Sequence, residues 1–387
     1  MTGRPAPGAR SQSAQLVALT AAKTVSNTAL RWVGPFLPTL ERAFGAGTGT
    51  LTGIMGVAEL GGLSTLATGR TLDRGHERRM FVLGLVAVAV SSVIALVGSV
   101  AAFAVSFGVL IIGVANLTVA GHAWIGHRVA VRRRGRAIGF FETSWALALL
   151  AGAPVLAWLI GRFGWRGPYV ALAIASAAAA VAVAVLVERP APPTAPASGR
   201  APLPRSAWSP MLAAAATAAA GLGTFVVSGA WLDDAYGVST TGLGVIAAGF
   251  GLIELAASSS VAWFGDRLGN RRSVLGGLVV LAAGVATMAA AGASRPTAVA
   301  GLLIFLAGFE FAFVSALTLV TEAAPLARGR AIGVANACGT LARAAAVITS
   351  GQLYERFGMT GSLAWSAAAA GVAVVMTART QIGRRAT

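Results

Sequence analysis

Apolar stretches of about 20 residues, the length that crosses a hydrocarbon core, recur twelve times along the chain. They cover 16–39, 48–69, 80–99, 101–125, 137–161, 169–187, 209–232, 242–264, 273–292, 296–320, 331–354 and 361–378. Short polar segments rich in arginine separate them, so the pattern predicts an all-α membrane protein with twelve transmembrane helices. The pattern is also doubled. RGRAIG at 134–139 returns at 328–333, and RFG at 162–164 returns at 356–358, each 194 residues further on. A repeat of half the chain means two copies of one module. Two pseudo-symmetric six-helix bundles are therefore expected, at 1–187 and 209–387. The segment 188–208 joins them, with six of the chain's fifteen prolines, and reads as an extended tether.

Composition agrees with a lipid solvent: 56% of residues are hydrophobic and only 11% are charged. The net charge of +17 sits in hinges between apolar runs and not on one face, which argues against nucleic acid. With the amino terminus inside, cytoplasmic segments hold 22 of the 30 basic residues and outside loops hold 5. That asymmetry predicts a multi-pass protein of the inner or plasma membrane with both termini cytoplasmic. Arg4 and Arg10 precede an apolar run in the manner of a signal peptide. No small-residue cleavage site follows, and Lys23, Asn27 and Arg31 interrupt the run, so the first helix is expected to be retained. The single cysteine, Cys338, leaves no internal disulfide or cysteine metal cluster to expect. Nucleophile, phosphate-loop and metal motifs are lacking, so no enzyme, cofactor or metal is expected, and uphill movement would need an ion gradient.

A charge at mid-span costs about 2.5–3.5 kcal/mol, so each one invites a functional question. Lys23, Arg31, Glu59, Glu142, Glu254, Glu310 and Arg343 are the candidates. Lys23, Asn27 and Arg31 follow at i, i+4 and i+8 and share one helix face. The repeat aligns Asn116 with Glu310 and Glu142 with Asn336, so each half has an acid where its twin has an amide. Glu310, midway through its span, is expected to load and release protons, with Arg31 as its electrostatic partner or competitor. Lys23 either snorkels or serves the site, and Glu142 is read as an inner-gate or structural residue. Glu59 and Arg343 each lie near the middle of a span. His122 and His127 are read as interfacial anchors. Glycines of the second and eighth spans, among them Gly56 and Gly251, are read as packing seams.

Between the second and third spans stand Gly69, Asp73, Arg74, Gly75, Arg78 and Arg79. The matching hinge of the second half carries Asp266, Arg267, Gly269, Arg271 and Arg272. This resembles the G-x-x-x-D-R-x-G-R-R signature of the major facilitator superfamily of secondary transporters. His76 and Glu77 depart from it, and Ala262 replaces the opening glycine of the second copy. Gly152-Ala153-Pro154 with Ala157 is similar to the fifth-span stretch of the sugar and drug efflux branch, without its adjacent glycines. That branch's fourth-span arginine is missing, with Val109 in its place.

The resemblance implies alternating access about a central cavity lined by the first, fourth, seventh and tenth helices, and packing of the second and eleventh helices across the halves, where Glu59 and Arg343 are expected to meet. It also implies a cytoplasmic latch at Gly69, Asp73, Arg74, Arg78, Asp266, Arg267 and Arg271. The expected function is proton-coupled efflux of a small organic solute by a functional monomer in the lipid bilayer. Uptake of a small anionic metabolite in symport, or a non-transporting sensor on the same fold, stand as alternatives.

Overall fold

The computed structural model is all-helical over the described residues, which are 11–188, 202–324 and 327–380. In the first half, α1 (Gln12–Arg31) fills the first span and α2 (Leu37–Phe44) caps its far end. The second span is cut into α3 (Thr48–Glu59), a 3-10 turn (Leu60–Ser64) and α4 (Thr65–Asp73). Then come α5 (Glu77–Ala95) and α6 (Val100–Arg128). The fifth span runs through α7 (Val131–Leu147), a π turn (Ala148–Gly152) and α8 (Ala153–Phe163), and α9 (Arg166–Leu186) is the sixth. The second half is plainer, one helix per span. It comprises α10 (Trp208–Tyr236), α11 (Thr240–Leu268), α12 (Asn270–Ala289), α13 (Arg295–Ala323), α14 (Arg328–Phe357) and α15 (Met359–Ala378).

Among the described residues, spans three to twelve yield ten helices long and apolar enough to cross a membrane. The first two fall short for visible reasons: α1 carries Lys23, Asn27 and Arg31, and the 3-10 turn divides the second. Most of the expected tether, residues 189–201, lies outside the described residues, as do the side chains of Asp73 and Asp266.

The doubled sequence is doubled in space. Among the described residues eight glycines have positive φ, and they fall into four pairs: Gly45 with Gly237, Gly75 with Gly269, Gly98 with Gly292, and Gly164 with Gly358. The last pair explains why Arg-Phe-Gly recurs. At φ 66° and 60°, with ψ near 180°, the chain leaves α8 and α14 in a region open essentially to glycine alone. Side chains repeat as well. Arg78 donates to the carbonyl of Ala184, and Arg271 donates to the carbonyl of Ala378 at 2.7 Å. Each arginine thus caps the open carbonyl end of its own half's last helix.

One buried apolar core joins both halves at the end opposite the chain termini and continues along the second half to Met211, Val274 and Ala331 at the terminal end. At the terminal end the first half keeps a separate cluster around Phe81, Trp124 and Phe141. Hydrogen bonds between the halves gather at the opposite end. Arg42 meets Asp233 at 2.7 Å, the amide of Gly49 donates to Glu355 at 2.7 Å, and Gln352 donates to the carbonyl of Gly49 at 3.4 Å. Glycine lets these surfaces touch. A Cβ on Gly229 of α10 would strike the carbonyls of Gly34 and Pro35, and one on Gly251 of α11 would strike the π turn. In lipid such close backbone contact replaces hydrophobic burial as the cohesive term. The halves pack on one another chiefly through α3 with α14 and α8 with α11. At the terminal end α4 packs on α5, α6 and the 3-10 turn of its own half, so the molecule is a cup joined at the opposite end and parted at the terminal end.

Candidate functional site

The polar stripe of α1 lies along α7. Lys23 Nζ donates to Glu142 Oε1 at 2.7 Å, Asn27 Nδ2 to Ser144 Oγ at 3.2 Å, and Arg31 Nη1 to the carbonyl of Trp145 at 2.8 Å. Trp145 stands three residues before the π turn. Such a turn, with its altered backbone pairing, often marks a functional position in a helix. The stripe expected to face the cavity is therefore largely zipped to a neighbouring helix.

Arg31 is the exception, because it also crosses to the other half. Its Nη1 and Nη2 reach Glu254 Oε2 and Oε1 of α11 at 2.6 and 2.5 Å, a bidentate fork. The Trp145 and Phe225 rings cover the guanidinium at 4.2 and 5.4 Å. Only 4% of the Arg31 side chain and 1% of the Glu254 side chain are exposed. This corrects one expectation: the partner of Arg31 is Glu254, not Glu310. Sequence reasoning noted Glu254 but gave it no role. A signal was present, since at the 194-residue offset Glu254 falls on Leu60, beside Glu59.

Glu59 and Arg343 are brought together, with Arg343 Nε donating to Glu59 Oε2 at 3.0 Å between α3 and α14. The two cross-half pairs are reciprocal: each half lends one acid and one base to the other. Glu310 instead accepts from Ser258 Oγ at 2.6 Å. Its twin Asn116 donates to Ser64 Oγ at 2.8 Å, and Ser64 and Ser258 are themselves 194 residues apart. The same hydrogen bond is therefore built twice, once with an amide and once with an acid.

The histidines are not bare interfacial anchors. His122 Nε2 lies 2.7 Å from Glu142 Oε1, and His127 Nδ1 bonds Glu77 Oε1, whose residue is 1% exposed. The side chains of Glu142 and His122 are 43% and 41% exposed, as the parted terminal end allows. Asn336 is exposed on α14. Among the latch residues, Arg74 and Arg267 are exposed, while Arg78 and Arg271 bond within their own halves as described above. A recess of about 770 Å³ lies elsewhere. Glu41, Asp234, Tyr354 and Glu355 line it at the opposite end, away from the mid-span charges. It is an open vestibule, and the chemistry is not there.

The sequence profile of the Major Facilitator Superfamily matches residues 19–229 and 211–381, nearly the whole chain in two overlapping copies. The chain belongs to the Major Facilitator Superfamily. Solved structures agree in fold. A bacterial homologue of the human lysosomal transporter Spinster, inward-facing and unoccupied, aligns with TM-score 0.75 and 16% identity over 96% of this chain and 95% of that one. A D-xylose–proton symporter aligns with TM-score 0.76 and 14% identity over 95% and 97%. The human organic anion transporter MFSD10 (TETRAN) aligns with TM-score 0.71 and 17% identity over 96% and 100%. No curated protein matches the chain significantly. The superfamily assignment makes the protein a multi-pass membrane protein with a transporter fold. It leaves the efflux branch, the solute and the coupling ion to argument.

Proposed function

We propose that this superfamily member is a proton-coupled secondary transporter that exports a small organic solute by alternating access. One observation carries the coupling. Within the spans stand three bases, Lys23, Arg31 and Arg343, and four acids, Glu59, Glu142, Glu254 and Glu310. Every base is matched to an acid, at 2.7, 2.5 and 3.0 Å, and Glu310 is the acid left over. A buried carboxylate with no base is stable only when something neutralises it. A proton is the simplest such partner, and its arrival and departure there would couple transport to a proton gradient.

On this reading the halves are 1–187 and 209–387, the tether 188–208 and both termini are cytoplasmic, and the parted end opens inward at the cell membrane. Rocking about the mid-span pairs would exchange it for an outward-open form. Asp73, Arg74, Asp266 and Arg267 would then close the cytoplasmic side, and one chain would suffice. The anionic-uptake alternative loses support, because Arg31 and Lys23 are already committed to Glu254 and Glu142.

The test uses proteoliposomes with an internal pH dye and the best hit of a thermal-shift ligand screen. Wild type should exchange solute for protons. Glu310→Gln should fold and bind yet move no protons with the solute, and retained coupling in that variant would remove the proposal. Binding without any flux would favour the sensor.

A further inference from the structure

At the sealed end, where the halves are joined, α3 begins without a cap of its own. Its N-cap residue is Gly47, in extended backbone at φ −73° and ψ 166°, and no acid stands in its first turn. The twin helix α11 is built differently. Two residues past the paired glycines Gly45 and Gly237 stand Gly47 and Ser239. Ser239 Oγ accepts from the amide of Gly242 at 3.2 Å and so caps α11 from within its own half.

The cap that α3 lacks comes from the other half. Glu355 Oε1 accepts from the amide of Gly49, the second residue of α3, at 2.7 Å. A Cβ on Gly47 would stand 2.5 Å from Glu355 Oε1, and one on Gly49 would strike Oε2, so two glycines keep this socket open. Glu355 is also ill placed for its own helix. It lies in the last turn of α14, where the macrodipole disfavours an acid, whereas the first turn of α3 favours one. The repeat sets Gly161 of α8 at the twin position, and the twin crossing is closed by Ala157 against Gly244, an apolar contact. Of the two twin seams, the one between α3 and α14 carries the carboxylate.

We propose that Glu355 is the clasp of the sealed end: it caps α3 across the divide, so that α3 is fully capped only while that end is closed. A bond made in the closed state and lost in the open one shifts the balance between them. The clasp goes beyond the proposed function, since it needs two states of the sealed end and neither the proton nor the solute.

The test uses the full chain in lipid nanodiscs with Cys338→Ala and spin labels at positions 97 and 293. Val97 and Ala293 are exposed at the sealed end, one in each half. In wild type the shorter distance between the labels should dominate. Glu355→Ala should raise the ratio of long to short distances about fivefold, the order of one helix cap. Gly49→Ala should do the same, although it keeps the carboxylate and adds a better helix former; a merely structural role predicts no opening there. Gly47→Ser added to Glu355→Ala gives α3 a cap within its own half. The melting midpoint should then return toward wild type while the long distance persists. An unchanged distance ratio in both single variants overturns the clasp. Return of the short distance in the double variant overturns it as well, because a local cap would then replace the bond between the halves. Should Glu355→Ala fail to fold, Gly49→Ala alone decides, by opening or by staying closed.

Discussion

Removing Glu254 strands a guanidinium that cannot discard its charge. Arg31 stays protonated under all ordinary conditions, is 4% exposed, and has its Nη1 and Nη2 committed to Glu254. Breaking a buried pair from one side typically costs about 3–5 kcal/mol. For a chain of this size each kcal/mol moves a thermal midpoint by roughly 2 °C. Glu254→Gln should therefore lower the detergent melting temperature by roughly 5–10 °C, about equally at pH 5 and pH 8.

Arg31→Met is expected to behave differently. It leaves Glu254 without a base, and a carboxylate can neutralise itself by taking a proton. Its loss should be largest at pH 8 and shrink as the pH falls. The double variant Arg31→Met/Glu254→Met carries neither stranded charge, so it should melt above Glu254→Gln and cost less than the two single changes together. A Glu254→Gln midpoint within a degree of wild type, or single losses that simply add in the double, would refute the assignment of the pair.

Other consequences can be measured on the same preparations. Gly229→Ala places a methyl against the Gly34 and Pro35 carbonyls, so it should pry open the sealed end; a cysteine probe in the α10–α11 loop should label several-fold faster. Arg42 is 62% exposed in its pair with Asp233, so Arg42→Ala should change stability by under about 1 kcal/mol, an effect that fades in high salt. Beyond the first span, burial pushes the Glu41 carboxyl up from its ordinary value. A raised acid favours the folded contact at low pH and loses that favour as pH climbs through the shifted value. Closure of the sealed end should therefore weaken with rising pH in wild type and lose that dependence in Glu41→Gln, as read by distances between spin labels.

The fold was legible because lipid permits so few solutions. Twelve apolar runs must be helices when no water is present to satisfy the backbone, and an internal repeat dictates two similar bodies. The pairing of Glu59 with Arg343 followed from their mid-span depth together with the packing of the second and eleventh helices across the halves that the family resemblance implies. What stayed hidden depends on rotation about helix axes. A span rich in alanine and glycine has no polar side to mark its orientation. Nothing local could say that the Lys23 stripe would lie on α7, or that Arg31 would choose Glu254 over Glu310. The 3-10 turn after Glu59 and the π turn after Trp145 carry no strong sequence mark either. Only Gly61-Gly62 and Pro154 stand near them.

The reciprocal pairs have a consequence for how the molecule is made. As the first six spans leave the ribosome, Arg31 and Glu59 enter the bilayer with no counter-charge, each at a cost of about 2.5–3.5 kcal/mol. Relief arrives only with Glu254 and Arg343, synthesised 223 and 284 residues later. Neither body is electrically complete alone. Fragments severed at the tether and expressed from separate messages should seek one another out, and an orphaned fragment should be marked for degradation.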